Sequence, residues 1–163
     1  MDATMLADRA SVEGLAGRYD AAEEDFAEAL RLDPSSPWIR ARRARYLHAA
    51  RGDHGRAVAD CDEALRLSPG HAEPSLYRGL SLLALGEFRR AADDLGAALD
   101  PRQRGTTTFL GPLSSLYPEL FRARARARAS LGDEAGARAD RDQADRLRPP
   151  APPAQGPEGA PRR

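Results

Sequence analysis

The sequence has no lysine, no asparagine, a single isoleucine and few aromatic residues. Aromatic side chains occupy only 6% of its 163 positions. Extended β-sheets draw on Val, Ile, Thr and aromatic residues, so this scarcity argues against a substantial sheet. The apolar content is 41%, and much of it is alanine, which favours closely packed thin helices. The composition therefore predicts an all-α protein.

The sequence also lacks an excess of charge of either sign, because 25 arginines balance 25 acidic residues. A nucleic-acid-binding domain usually carries a basic patch or excess. Arginines do alternate along one segment, but residues two apart on a helix point about 200° from each other. They therefore predict two separate pairs, Arg122 with Arg126 and Arg124 with Arg128. We expect no nucleic-acid partner.

The single cysteine and the N-terminal segment bear on the compartment. Cys61 cannot form an internal disulfide, which fits a reducing environment. Its position on an apolar helical face predicts a buried thiol. The segment 1–14 contains three acidic residues and no apolar run, so it predicts neither a signal peptide nor a membrane span. We expect a cytoplasmic protein with no membrane partner.

The sequence contains an internal repeat. It is marked by four glycines, Gly17, Gly52, Gly86 and Gly132, which lie 35, 34 and 46 residues apart. Alanines follow each of them at five and at twelve residues, and a proline follows three of them at seventeen. A glycine just past a helix can adopt the left-handed conformation that ends it. Small residues seven apart on the next helix let a neighbour approach closely, and proline prevents continuation. Each unit is therefore predicted to be a helix, a glycine turn and a second helix.

This spacing resembles the tetratricopeptide repeat. The best-matched strings run from Gly17 to Pro34 and from Leu85 to Leu95. The resemblance implies a right-handed α-solenoid of about four helix-turn-helix repeats across 3–150, at about 3–36, 38–71, 72–101 and 118–150. An insertion is expected at 102–117, and its apolar residues suggest a fold-back onto the array or a longer connector. The Pro-rich residues 151–163 are expected to be disordered or polyproline-like.

Two departures from the pattern have structural consequences. Small residues, Ala10, Gly79 and Ala125, stand seven before three of the turn glycines, but the second repeat has Arg45 there and Ala44 one place earlier. The first helix of that repeat is therefore expected to be one residue out of register. In the fourth repeat charged residues replace apolar ones on the second helix, as a terminal capping repeat requires.

Signatures of catalysis are absent: no GxSxG, P-loop, Rossmann or HExxH string occurs. No two of His48, His54 and His71 share a helical face by spacing, which argues against a metal site. Carboxylates on the predicted second helices are interpreted as solvated faces; they are Glu23, Glu24, Asp25, Asp60, Asp62, Glu63, Asp93 and Asp94. We expect no enzyme, no cofactor and no metal.

The resemblance implies a concave surface, lined by the first helix of each unit, that holds a partner peptide or helix. The expected groove residues are Arg42, Arg43, Tyr46, Leu76, Tyr77, Leu80, Arg122 and Arg126. A register shift in the second repeat would substitute Trp38, Ala41 and Arg45. Arginines bind carboxylates in a bidentate fashion, so the ligand would carry acidic residues flanking apolar anchors. Alternatively, the arginines pair with neighbours such as Glu73 and Glu119.

The predicted function is that of a protein–protein interaction module, an adaptor or scaffold. Two alternatives stay open: a non-catalytic or regulatory module of a larger signalling protein or enzyme, and a self-associating array such as a homodimer. The family subgroup that clamps the C-terminal carboxylate of heat-shock chaperones uses Lys and Asn residues. This chain has Ala7, Ser11, Arg43, Glu73 and Tyr77 at the matching places, so the sequence does not support that ligand.

Overall fold

The structure is a computed structural model, which describes residues 1–100 and 116–147. The described residues are all-helical and contain no strand, as predicted. They form four antiparallel hairpins from helices α1 (Ala3–Leu15), α2 (Tyr19–Leu32), α3 (Pro37–Tyr46), α4 (His54–Leu67), α5 (Ala72–Ala84), α6 (Phe88–Leu99), α7 (Tyr117–Ser130) and α8 (Glu134–Arg146). Most of the predicted insertion at 102–117 and all of the predicted tail lie outside the described residues; α7 begins at Tyr117. In the described part of the chain, no helix is long and apolar enough to cross a membrane.

Each hairpin turns at the glycine that the repeat pattern identified. Gly17, Gly52, Gly86 and Gly132 all have positive φ angles, between 66° and 80°. This left-handed conformation costs an L-residue about 1–2 kcal/mol but costs glycine little. Two of these glycines are each followed by an aspartate that caps the next helix. In one of them, the Asp53 carboxylate accepts a hydrogen bond from the Arg56 amide at 3.1 Å.

A π-helical turn, Leu47–Arg51, extends α3 and absorbs the extra residue of the second repeat. The Asp53 amide donates to the Leu47 carbonyl, which lies six residues earlier. Ala44 is therefore fully buried in the small-residue position of the first helix, and Arg45 is displaced from it. The one-residue shift expected from the sequence is confirmed, and its physical form is a π bulge.

Hairpins stack because each first helix inserts into the angle of the preceding hairpin. The Tyr46 ring lies 5.4 Å from the Phe26 ring and packs directly over Gly14, where a Cβ atom would lie 2.5 Å from the tyrosine ring. A second cluster joins α5 and α6 to α7 through Leu76, Leu95 and Leu120. Cys61 is completely buried, as expected for a structural thiol.

The same ion pair recurs in all four hairpins. An arginine of the first helix donates its Nε and Nη2 protons to the two carboxylate oxygens of an aspartate on the second helix, at 2.5–2.9 Å. The pairs are Arg9–Asp25, Arg43–Asp60, Arg78–Asp94 and Arg124–Asp140. All four aspartates are buried. The interpretation of Asp25, Asp60 and Asp94 as solvated was therefore wrong, because these carboxylates face the first helix of their own hairpin.

Candidate binding groove

The four first helices lie side by side, with α1 against α3, α3 against α5 and α5 against α7. Among the residues that the structure describes, two concavities open on this surface, and neither is lined by a residue of a second helix. The surface formed by α1, α3 with its π turn, α5 and α7 is hereafter called the groove.

The concavity at the N-terminal end of the groove has a volume of about 230 Å³. It is largely apolar and is lined by Ser11, Leu15, Arg45, Tyr46, Ala49, Ala50 and Tyr77. Burial raises the pKa of Tyr77 to about 12, which keeps the phenol neutral and able to donate a hydrogen bond.

The second concavity, of about 460 Å³, lies between α5 and α7. Leucines of α5 form its apolar wall and arginines of α7 form the opposite one; the lining residues are His48, Leu80, Leu83, Ala84, Glu119, Arg122, Ala123 and Arg126. The His48 ring lies 6.1 Å from the Tyr77 ring, so these two side chains separate one concavity from the other.

Charges near the N-terminal concavity largely neutralise one another. The Arg42 guanidinium is 2.6 Å from the Asp8 carboxylate and stacks 4.1 Å over the Trp38 ring. Burial lowers the pKa of Arg42, although Asp8 partly opposes that shift. Burial raises the pKa of the Glu73 carboxyl, and nearby Arg45 and Arg42 counteract the rise. The alternative expected from the sequence, in which groove arginines pair with neighbours, thus holds for Arg42, which pairs with Asp8, and for Arg122, which pairs with Glu119.

Arginines are more exposed at the C-terminal end of the groove. Arg122 pairs with Glu119 at 2.6 Å and reaches Asp145 at 3.4 Å. Arg126 is exposed and makes no ion pair with any described residue. A third hollow, of about 430 Å³, continues from this end between α7 and α8, and Arg122, Arg126 and Arg141 line it together with Ala125, Ala129 and Asp145.

The structure distributes the predicted groove residues among three environments. Tyr77, Leu80, Arg122 and Arg126 line the concavities, as does Tyr46, which is mostly buried against α1. Leu76 belongs to the core between α5, α6 and α7. Arg42 is buried beside α1, and Arg43 is engaged by Asp60. The π turn explains the placement of Arg43. It rotates the start of α3, so that Arg45 faces the groove instead.

The predicted division of the α7 arginines is confirmed. Arg124 and Arg128 both contact Asp140 of α8, whereas Arg122 and Arg126 face the groove.

Spacing along the sequence did not predict the proximity of two histidines. The rings of His48 and His54 lie 5.1 Å apart, because the π turn folds between them. His48 Nδ1 is 3.0 Å from the Ser81 hydroxyl. Burial lowers the pKa of His48, and the neighbouring His54 lowers it further.

Comparisons with known proteins agree with this architecture. A family model described as a tetratricopeptide repeat matches residues 3–36. The fold is similar to the first such domain of Spaghetti (RPAP3), solved with the HSP90 peptide SRMEEVD, at a TM-score of 0.65 and 19% identity, covering 81% of this chain and 99% of that one. It is also similar to MamA, at 0.69 and 14%, covering 89% and 77%. The corresponding domain of Sgt2 from Aspergillus fumigatus matches at 0.59 and 17%, covering 97% and 90%. At these identities the structural matches establish the fold.

Proposed function

This chain carries a tetratricopeptide repeat and folds as a tetratricopeptide-repeat array, and from that premise we propose that it is a protein–protein interaction module whose groove binds a segment of a partner protein. The ligand is an extended peptide or a helix with apolar anchors and an acidic flank. The chain acts as an adaptor or scaffold and catalyses no reaction of its own.

The observation that carries the proposal is the pair of open concavities on the first helices, each with an apolar wall. Partner segments bind through a few buried apolar anchors surrounded by polar contacts. Leu80 and Leu83 offer such a site between α5 and α7, and Tyr77 offers another toward α1. A single segment lying across α5 would reach both.

The two ends of the groove differ in how completely their charges are paired. Near α1 and α3, Asp8 and Glu73 balance Arg42 and Arg45. Around α7, Arg122 pairs with Glu119 and Asp145, and Arg141 lies 3.8 Å from Glu134, whereas Arg126 makes no ion pair with any described residue. We therefore place the acidic flank of the ligand at the α7 end, where the exposed Arg126 is not engaged in an ion pair with any described residue. An arginine fork at that end would bind a carboxylate of the ligand.

The HSP90 peptide of the RPAP3 structure is a poor template for this ligand. Its sequence, SRMEEVD, ends in an acidic residue. In this chain the positions that match the chaperone clamp include the buried carboxyl of Glu73, and Arg42 is held by Asp8. A carboxylate placed beside Glu73 would be repelled, so a chaperone tail is disfavoured at the N-terminal half of the groove.

The experiment selects peptides from a random displayed library on the immobilised protein and measures the affinity of the best binder by fluorescence polarisation. We expect apolar residues next to an acidic cluster in the selected peptides, and an affinity that falls with salt. Arg126→Ala should weaken binding roughly fivefold, and Leu80→Ala should weaken it more. Arg89→Ala, an exposed arginine on α6, is the matched control and should change nothing. Equal binding by all three variants would reject the groove as the site.

A further inference from the structure

The ridge between the two concavities of the groove carries a titratable side chain. His48, on the π turn, lines the larger concavity, and its ring lies 6.1 Å from the ring of Tyr77, which lines the other. A single segment that crosses α5 to reach both concavities must pass over this ridge. Histidine is the side chain whose ordinary pKa places its change of charge between pH 5 and 8. The charge of His48 therefore bears directly on what the groove can hold.

His48 is packed as a neutral ring. Its Nδ1 atom lies 3.0 Å from the hydroxyl of Ser81, which is fully buried, and its ring lies 5.1 Å from the ring of His54. His54 Nδ1 is itself buried and has no hydrogen-bond partner among the described residues. A proton added to His48 would create a charge beside another imidazole and partly removed from water. Burial, and then His54, accordingly lower the pKa of His48, and the raised pKa of Tyr77 leaves a neutral phenol beside it.

The charged groups that face His48 from the packed helices also favour the neutral ring. On α7, Arg122 and Arg126 line the same concavity as His48. Glu119 lines it too, but Arg122 already engages this carboxylate at 2.6 Å. On α3, the charged residue beyond the ridge is Arg45. Among the described residues, no unpaired carboxylate lines either concavity, so nothing in the free groove stabilises a positive charge on His48.

Given the proposed function, on which this inference rests, we propose that His48 is a pH switch for the groove: the neutral ring admits a partner segment across the ridge, and the protonated ring excludes it. A segment lying over the ridge removes the remaining water from His48. A charged imidazole beneath an apolar anchor would then be buried without a partner, which is costly. The complex therefore holds the neutral ring, and protons compete with the ligand.

The direction and the pH range of the switch follow from linkage between proton and ligand. The pKa of His48 is lowered in the free chain and falls further under the ligand, so the complex binds fewer protons than the free chain. The affinity has its full value above the free-chain pKa and declines as pH falls through it. Because that pKa lies below the ordinary value of 6.5, the groove binds at neutral pH and releases its ligand in mild acid.

The test uses the best-binding peptide selected from the displayed library at pH 7.5 and labelled with a pH-insensitive dye. Fluorescence polarisation gives its Kd at pH 7.5 and at pH 5.5. For the wild type, Kd should rise about threefold or more, and by at most about tenfold for each pH unit. His48→Gln keeps a polar side chain at the ridge but cannot gain a proton, so the ratio of its two Kd values should be close to one. His71→Gln, at the start of α5 and outside both concavities, is the matched control and should keep the wild-type ratio.

A second measurement counts the protons. Isothermal titration calorimetry of the same peptide at pH 6, in two buffers of different ionisation enthalpy, should show net proton release on binding to the wild type and none on binding to His48→Gln. Circular dichroism checks that each chain keeps its helices at both pH values.

The outcomes separate this switch from the function of the groove. A library that yields no binder at pH 7.5 would overturn the proposed function, and the switch with it. A binder whose affinity is equal at the two pH values, or rises in acid, would overturn the switch alone. So would an affinity that falls as much in His48→Gln as in the wild type.

Discussion

Replacing Asp60 by alanine tests the most regular feature of the fold, the arginine–aspartate pair inside each hairpin. The Asp60 side chain is only 5% exposed and accepts two hydrogen bonds from Arg43, at 2.6 and 2.7 Å, while Arg40 lies 3.6 Å away. Removing one member of a buried ion pair typically costs 3–5 kcal/mol, because the other charge stays buried without its partner. Arg43 is 21% exposed and can recover some hydration, which lowers the expected loss to about 2–3 kcal/mol.

The assay is urea denaturation followed by far-UV circular dichroism, which gives the free energy of unfolding for each variant. Asp60→Ala should lower it by that amount and should lower Tm by roughly 5–10 °C for a chain of this size. Glu28→Ala is the matched control, since Glu28 pairs with Arg31 on the surface, where both side chains are more than 40% exposed. Its loss should change the free energy of unfolding little, because solvent screens an exposed ion pair.

A third variant separates charge burial from packing. Replacing both Arg43 and Asp60 by leucine removes the pair together, so neither charge is left buried alone. Apolar replacement of a whole buried pair is often neutral or stabilising, and the double variant should therefore recover most of the stability that Asp60→Ala loses. If Asp60→Ala lowers the free energy of unfolding no more than Glu28→Ala does, the buried pair does not hold the hairpin together.

Three further predictions concern packing, pH and reactivity. Gly79→Ala should destabilise the array by about 1–3 kcal/mol, since a Cβ there would lie 2.9 Å from the side chain of a leucine on α6. Gly55→Ala should stabilise α4 by up to about 1 kcal/mol, because a Cβ there meets only the Asp53 carboxylate, at the ordinary contact distance of 4.0 Å. Urea denaturation measures both. The pKa of His48 is lowered by burial and by His54, so the unfolded chain binds a proton more readily, and stability should fall as pH drops through the unfolded value near 6.5. His48→Gln should flatten that fall in a series of denaturation curves at different pH, and an unchanged slope would refute the assignment. Burial raises the pKa of the Cys61 thiol, so a thiol-specific chromogenic reagent should modify it only at the rate of unfolding, and fast modification of the native protein would contradict its placement in the core.

The turns and the small-residue positions could be predicted from the sequence because each depends on a local rule. Gly17 and Gly86 stand where a left-handed residue must end a helix, and Ala10 and Gly79 stand where helices approach most closely. The break in register at the second repeat was also visible, since Ala44 stands one place before Arg45. What the chain does with the extra residue was not visible: a loop, a kink or a π turn would leave the same sequence pattern.

The ion pairs and the groove charges required three-dimensional information. The arginine and aspartate of each pair recur sixteen residues apart, or seventeen in the repeat with the π turn, so the period was present in the sequence. Two carboxylates stand next to each other on α6, however, and only the rotation of the helix selects Asp94 rather than Asp93 to face α5. Likewise, Arg42 and Arg126 look alike in the sequence, but Asp8 of the neighbouring helix neutralises the first, and no described residue neutralises the second.

The measurement that tests the groove most directly is the mapping of backbone amide chemical shifts by NMR as the selected peptide is added. The proposal predicts shifts that concentrate on α5 and α7 around Leu80 and Arg126, extend toward Tyr77, and leave the outer surfaces of α2, α4, α6 and α8 unchanged. Shifts that cluster on those second helices, or on the face of α1 around Met5 and Val12, would show that partners bind elsewhere and would contradict the proposed function of the groove.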